Sequence, residues 1–277
     1  MSRRHTRLEE ASGYHILTLA RPDTRNTITD PEMLDELIGT IDDPEIDVLI
    51  ITGEGPAFSA GGDVKGMAER KGMFAGTPFQ ISEAYIATIQ RLTRTLAATD
   101  TVTIAAVNGP AVGAGFDLVL GCDLRIGSTR AWFAHTFIDL GIIPGDGGAW
   151  LLPRVVGWQR ATELALTARR VGSTEAVGLD ILLEEVEPDQ LIPKASTLAA
   201  EIASKPRHSV RATKRLLRHA RDMGLDGFLD LSASLQAISH EEPAHREALD
   251  RYLSEWESRK AGRGGSAPLG DEGARRE

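Results

Sequence analysis

Two short stretches of small residues stand where backbone N–H groups can do chemistry. Gly61-Gly62-Asp63 leads into a helix starting at Asp63, and Gly113-Ala114 opens a second helix that the pattern ends at Gly121. Each start exposes N–H groups at the positive end of a helix, with no bulky side chain in front of them. Converging on one point, two such starts form an oxyanion hole that polarises a carbonyl and stabilises an enolate. Further along, His135 and Asp139 are four residues apart and share a side in an extended or a helical chain. They read either as a pair holding a proton near neutral pH or as polar groups at a loop or subunit contact. Asp146 follows Pro144-Gly145 in a glycine-rich turn, as a working acid or as a turn-stabilising aspartate.

The elements that must position these groups follow from pattern. Tyr14–Leu19, Asp47–Thr52 and Thr103–Val107 read as strands, the last two short and apolar enough to be buried on both faces. Asp30-Pro31 caps and opens a helix carrying Leu34, Leu37, Ile38 and Ile41. A longer helix is expected over Pro78–Ala98, with Ile81, Tyr85, Ile89, Leu92 and Leu96 on one stripe. Short strands are expected at Asp123–Ile126 and Ala131–Phe133. Beyond about Leu191 the chain reads as helix to Trp256. Strand, loop and helix in repetition predict an α/β fold with a largely parallel sheet, and such sheets bind ligands beyond the carboxyl ends of their strands. We expect a core over 1–195, a helical region over 196–258 and a disordered tail over 259–277.

Composition narrows the function classes. Formal charge is −9 and aromatics are 5%, against a dedicated nucleic-acid binder and against a base-stacking platform. The lone Cys122 excludes an internal disulfide and reads as a buried packing thiol in a reducing compartment. No apolar run is long enough for a membrane span, and the basic N-terminus is followed by Glu9-Glu10 rather than an apolar segment. The cytoplasm is the expected location, with no membrane and no nucleic-acid partner. Nucleotide motifs fail: Gly113-Ala114-Gly115 meets leucine at 118, and neither Gly53 nor Gly61 begins a phosphate-binding GxxxxGK[ST] loop. The glycines are nonetheless concentrated in the loops at 53–66, 109–121 and 141–148.

These loops carry a resemblance. Ile51-Thr52-Gly53 through Phe58-Ser59-Ala60-Gly61-Gly62-Asp63-Val64 and Ala105-Ala106-Val107-Asn108-Gly109-Pro110-Ala111-Val112-Gly113-Ala114-Gly115 resemble the crotonase (enoyl-CoA hydratase/isomerase) superfamily. Leu140-Gly141-Ile142-Ile143-Pro144-Gly145-Asp146-Gly147-Gly148 and Ala176-Val177-Gly178-Leu179 fit in register, so that the likeness spans Tyr14 to Trp256. The resemblance implies a spiral of ββα units, acyl-CoA thioester chemistry with no cofactor beyond the CoA of the substrate, and a homotrimer or hexamer built partly by the C-terminal helices. It implies Gly62 and Ala114 as oxyanion donors. The backbone near Ala60, flanked by Gly61, Asp63 and Val64, would meet the CoA adenine, and Arg25-Asn26 would line the CoA entrance. Gly113, Phe137 and Pro144 fall among the substrate-facing positions.

The chain departs from the family at its acids. Family hydratases typically use two glutamates. The first position is Asp117, one methylene shorter, and it reads as acid/base or as a first-turn acid favoured by the helix dipole. The second is Phe137, which transfers no proton. His135, Asp139 and Asp146 are the possible replacements, and a family branch that cleaves cyclic β-diketones has a similar Pro-Gly-Asp-Gly turn. Three functions stay open: hydratase or isomerase with Asp117 as acid/base, hydrolase of a thioester or β-diketone, and non-catalytic acyl-CoA-binding subunit. The basic run Arg207, Arg211, Lys214, Arg215, Arg218, Arg221 is either a CoA-phosphate contact or a solvated face. His208, His219, His240 and His245 show no ligand spacing and read as solvated.

Overall fold

The computed structural model describes residues 3–262. The chain divides after Lys205 into two compact units. The first unit opens with a hairpin, β1 (Thr6–Ala11) and β2 (Tyr14–Leu19), turning at Gly13 with φ +84°. Sequence reading does not anticipate β1, a charged edge strand that buries Thr6 and packs Leu8 against the core. Then come α1 (Pro31–Ile41), β3 (Val48–Gly53), α2 (Val64–Glu69), α3 (Pro78–Ala87), α4 (Ile89–Ala98), β4 (Val102–Val107), β5 (Ala111–Val112) and α5 (Ala114–Gly121). They are followed by β6 (Leu124–Ser128), β7 (Trp132–Ala134), α6 (Gly148–Val156), α7 (Trp158–Thr167), β8 (Val171–Gly172), α8 (Ser173–Gly178), β9 (Glu184–Val186) and α9 (Leu191–Ala203). The second unit holds α10 (Arg207–His219), α11 (Leu225–Glu241) and α12 (Pro243–Gly262).

The main sheet runs β1-β2-β3-β4-β6-β9, antiparallel only in the first pair. A smaller sheet, β5-β7-β8, stands beside it. Val48–Thr52 and all of β4 are buried, as apolar strands covered on both faces must be. The buried Thr52 hydroxyl donates to Ala106 O at 2.8 Å, so this polar group enters the core satisfied. α1 begins as its sequence dictates: the Asp30 carboxylate accepts from the N–H groups of Glu32 and Met33, and Pro31 takes the first helical position.

Three boundaries differ from expectation. The helix expected over Pro78–Ala98 is two helices broken at Thr88 (φ −121°, ψ −100°), whose hydroxyl donates to Ala84 O and competes with the helical ladder. The break leaves α4 buried along Ile89, Leu92 and Leu96 while α3 buries no residue fully. The division between units comes after α9 rather than at 195, because α9 packs Leu191, Ala195 and Ala199 against β3, β4 and β6. At the C-terminus, α12 continues through Gly262, past the expected start of the tail at 259. The remainder of that tail lies outside the described residues.

Candidate active site

Glycines decide how closely the loops beyond the strands approach. Gly61 has φ +82°, and a Cβ there would overlap Val112 O. A Cβ on Gly115 would collide with Ser59 O and the Ser59 side chain. The loop after β3 and the start of α5 therefore meet backbone to backbone, a distance that only glycine permits. Bridges Thr27–Gly61 and Ser59–Ala111 stitch them together, with Ile28 N–H donating to Gly61 O at 2.9 Å and Val112 N–H to Ser59 O at 3.0 Å.

Asn26 anchors this junction from within. It is fully buried, its amide donates to Glu54 O and Ala57 O, each at 3.0 Å, and its Oδ1 accepts from Arg21 N–H at 2.9 Å. Its side chain holds the loops together. Arg25 beside it is exposed, and its carbonyl accepts the Ala60 N–H at 2.8 Å.

An apolar cavity of about 480 Å³, its open mouth included, lies where these loops meet the third glycine turn. Ala60, Gly62, Val64, Gly113 and Ala114 form one wall. Met67, Met73, Phe74, Tyr85, Ile89, Leu140 and Ile142 supply the apolar lining, and Thr29, Thr136, Phe137 and Asp146 complete it. Among the described residues, no hydrogen bond takes the Gly62 or Ala114 N–H. Gly61, Asp63, Pro144, Arg25 and Asn26 are not on the cavity wall. Asp63 instead caps α2, its carboxylate accepting from Gly66 N–H at 3.0 Å.

The titratable groups assemble differently from the sequence expectation. His135 does not pair with Asp139: Asp139 is exposed on a 3-10 turn over Ile138–Leu140, whereas His135 is 1% exposed. The turn that follows Phe137 carries the chain outward, so four-residue spacing no longer implies a shared side. His135 Nε2 lies 3.1 Å from Asp117 Oδ1, and Asp117 and Asp146 are each 4% exposed. Burial pushes the Asp117 carboxyl up to about 7, although hydrogen bonds from Asp146 and from the Gly148 backbone pull the other way. Asp146 is raised well above the carboxylate range, first by burial and then by the charge and hydrogen bond of Asp117. His135 is pushed down to about 4 by burial, against the charge of Asp146. Burial thus favours the uncharged forms of both carboxyls and of the imidazole beside them.

Asp146 alone of these three lines the cavity; Asp117 and His135 stand behind it. Its turn is docked on α3 and α4: Gln90 donates to Gly145 O at 2.8 Å, Thr93 donates to Asp146 O, and a Cβ on Gly145 would press on the Tyr85 ring. Tyr85 itself is raised by burial and by Asp146. Sequence reading takes Tyr85 as one more residue on an apolar stripe. No local signal separates it from Leu92, because only the break at Thr88 and the docked turn bring it to the cavity. Phe137 lines the cavity and stands edge-on to His135, ring centroids 4.8 Å apart. Cys122 is buried, with its thiol 3.3 Å from Leu118 O. His208 lies 3.6 Å from Glu242, and His240 hydrogen-bonds His245 at 3.1 Å, both in the second unit. Among the described residues no group of three or more His, Cys, Asp or Glu is arranged to hold a metal ion, and no helix is long and apolar enough to cross a membrane.

The model of the enoyl-CoA hydratase/isomerase family matches residues 9–261. The chain belongs to this family. As a family member it is 31% identical to a crotonyl-CoA hydratase of Syntrophomonas wolfei, over 92% of this chain and 95% of that one. It is 32% identical to a 1,2-epoxyphenylacetyl-CoA isomerase of Escherichia coli, over 87% and 92%. A Thermobifida fusca protein solved in complex with acetoacetyl-CoA superposes with a TM-score of 0.76 at 33% identity, covering 85% of this chain and 94% of that one. The fold expected from the resemblance is thus the crotonase fold, and this chain is an enzyme of the hydratase/isomerase type.

Proposed function

We propose that this enzyme moves a proton along the acyl chain of an enoyl-CoA thioester, the isomerase side of its family's chemistry. The observation that carries the reading is the make-up of the cavity wall. Among the described residues Asp146 is its one carboxyl, it stands with Gly62 and Ala114 around the same space, and Phe137 occupies the place that the resemblance gives to a second acid. A 3-enoyl thioester docked with its carbonyl on the Gly62 and Ala114 N–H groups becomes acidic at Cα. The Asp146 carboxyl, backed by Asp117, accepts the Cα proton while the C–H electrons move onto the thioester oxygen. Collapse of this dienolate returns the proton to Cγ and leaves the double bond between Cα and Cβ. One carboxyl locus suffices for this sequence, whereas hydration also needs water activated at Cβ.

The likeness to a protein solved with acetoacetyl-CoA supports a CoA ester as substrate. The exposed Arg25 and the backbone at Ala60, joined by one hydrogen bond, would take the CoA end. A hydrolase with His135 and Asp139 activating water finds less support, since the two residues do not meet. For the assembly we propose a trimer or a pair of trimers. Exposed Leu225, Leu229 and Ile238 on α11, with Leu249, Tyr252 and Leu253 on α12, offer apolar surface for a subunit contact, and light scattering reads the state directly.

Assay of short- and medium-chain 3-enoyl- and 2-enoyl-CoA esters tests the reaction. Interconversion of the two is expected, falling at least about 100-fold in Asp146→Asn while acetoacetyl-CoA binding persists. Release of free CoA, or an unimpaired Asp146→Asn variant, overturns the proposal.

A further inference from the structure

His135 and Asp117 come from two different elements, the segment after β7 and α5, and neither lines the cavity that their neighbour Asp146 faces. Yet they are among the most buried polar groups of the first unit, at 1% and 4% exposure. A buried histidine on a buried carboxylate costs desolvation on both sides, so its place at this site calls for a physical account. Three atoms give it: with both carboxyls as acceptors only, His135 Nδ1, Asp117 Oδ2 and Asp146 Oδ1 are buried and meet no donor, so that a proton on one carboxyl is what joins the pair. An orphaned ring nitrogen is better tolerated as a lone pair than as an N–H, which assigns the proton to Nε2. Nε2–H then donates to Asp117 Oδ1 across 3.1 Å. The bond orients the Asp117 carboxyl toward Asp146 and favours its ionised form.

We propose that His135 is a positioning residue that makes Asp117 the proton acceptor for Asp146, so that Asp117 and Asp146 work as one proton-sharing pair of which only Asp146 meets the substrate. This rests on the isomerase reading. At rest the shared proton is on Asp146, donated toward the Asp117 carboxylate. As the substrate Cα–H bond breaks, its proton goes to Asp146, the proton Asp146 held passes to Asp117, and the C–H electron pair goes to the thioester oxygen. Reversal at Cγ restores the resting pair with no net gain or loss of protons. Gly148 is part of the arrangement: a Cβ there would overlap both Asp117 carboxyl oxygens and His135 Nε2. The titratable groups facing the pair are His135, from the segment after β7, and Tyr85, from α3. α4 contributes Gln90 and Thr93 to the same turn, neither of which titrates.

The test compares wild type with His135→Phe, which keeps an aromatic ring but no donor, and His135→Gln, which restores an N–H donor that does not titrate. For 3-enoyl-CoA isomerisation, His135→Phe should move the pH midpoint of kcat/KM upward by about one unit, because an unsupported Asp117 carboxylate binds its proton more tightly. Its kcat should fall roughly tenfold or more with acetoacetyl-CoA affinity within about threefold, and His135→Gln should recover both midpoint and rate. An identical midpoint in all three proteins makes His135 a packing residue and overturns the proposal. Infrared titration of the protonated-carboxyl band in the full-length protein gives a readout that needs no turnover. The band removed by Asp146→Asn should titrate at higher pH in His135→Phe than in wild type, and an unshifted band is a second overturning result. A wild type without isomerase activity whose band does shift would instead retain the pair and reject the isomerase reading.

Discussion

Gly148 and Asp117 are in contact so close that any side chain on the glycine would occupy the carboxylate's own space. Gly148 opens α6 and Asp117 lies in the first turn of α5, so this contact sets how far the third glycine loop can close over the second. Asp146, two residues before Gly148, is carried to the cavity by the same closure. Gly148→Ala should therefore separate the carboxyl pair. We expect a loss of about 1–3 kcal/mol in urea denaturation and a fall in isomerase kcat larger than any change in KM. A variant that keeps full stability and full turnover would show that the closure has slack.

The buried pair also sets a pH dependence of stability. Asp117 rises from 3.8 to about 7 on folding, so its native state keeps a proton that the unfolded chain has lost in between. Its contribution is whole below about pH 4 and is lost as the pH climbs through 7. Asp146, raised further, continues the decline. His135, lowered from 6.5 to about 4, acts in the opposite sense over that window and offsets one carboxyl. Wild type should thus be less stable at about pH 8.5 than at about pH 6. Asp117→Asn should remove much of the difference, gaining roughly 1–4 kcal/mol at the higher pH. Equal slopes of stability against pH in the two proteins would refute the assignment.

Asn26 predicts a structural phenotype at a position where the family resemblance puts the CoA entrance. Asn26→Ala leaves Glu54 O, Ala57 O and Arg21 N–H without their side-chain partner in a buried setting. The expected cost is about 2–4 kcal/mol. Activity per folded molecule should decline less than stability does, and circular dichroism melts beside active-site titration separate the two. Normal stability with lost CoA-ester affinity would mean that Asn26 touches the ligand.

Phe137 predicts a gain. Phe137→Glu places a carboxyl on the cavity wall, at the position where the resemblance puts the second acid of the family hydratases. Hydration of a 2-enoyl-CoA should rise at least about tenfold over wild type, and isomerisation should not rise with it. The 3-hydroxyacyl-CoA product is the quantity to measure. A folded variant with no added hydration would show that the ring does not stand in a water-activating position.

Much of this was legible from local physics. Asp30-Pro31 opens α1 because a carboxylate cap and a proline at the first turn act within a few residues. Val48–Thr52 and Thr103–Val107 are buried strands because short apolar β-branched runs have few other solutions. The helix from Ala114 to Gly121 follows from the glycine before it and the apolar run within it. The loops with their glycines were legible as well, together with the family they resemble. The tertiary structure alone decided which acids meet. Asp117, His135 and Asp146 belong to three separate segments, and their union depends on backbone approaches at Gly61, Gly115 and Gly148 that no spacing encodes. Spacing joined His135 to Asp139, which assumes a regular chain between them; a 3-10 turn sent Asp139 to solvent and left the imidazole to a carboxylate 18 positions away. Local sequence determines conformation over a turn or two, where the interacting groups are neighbours in the chain. Proton affinity depends on burial and on charges a few ångströms away, and those exist only once the chain has folded.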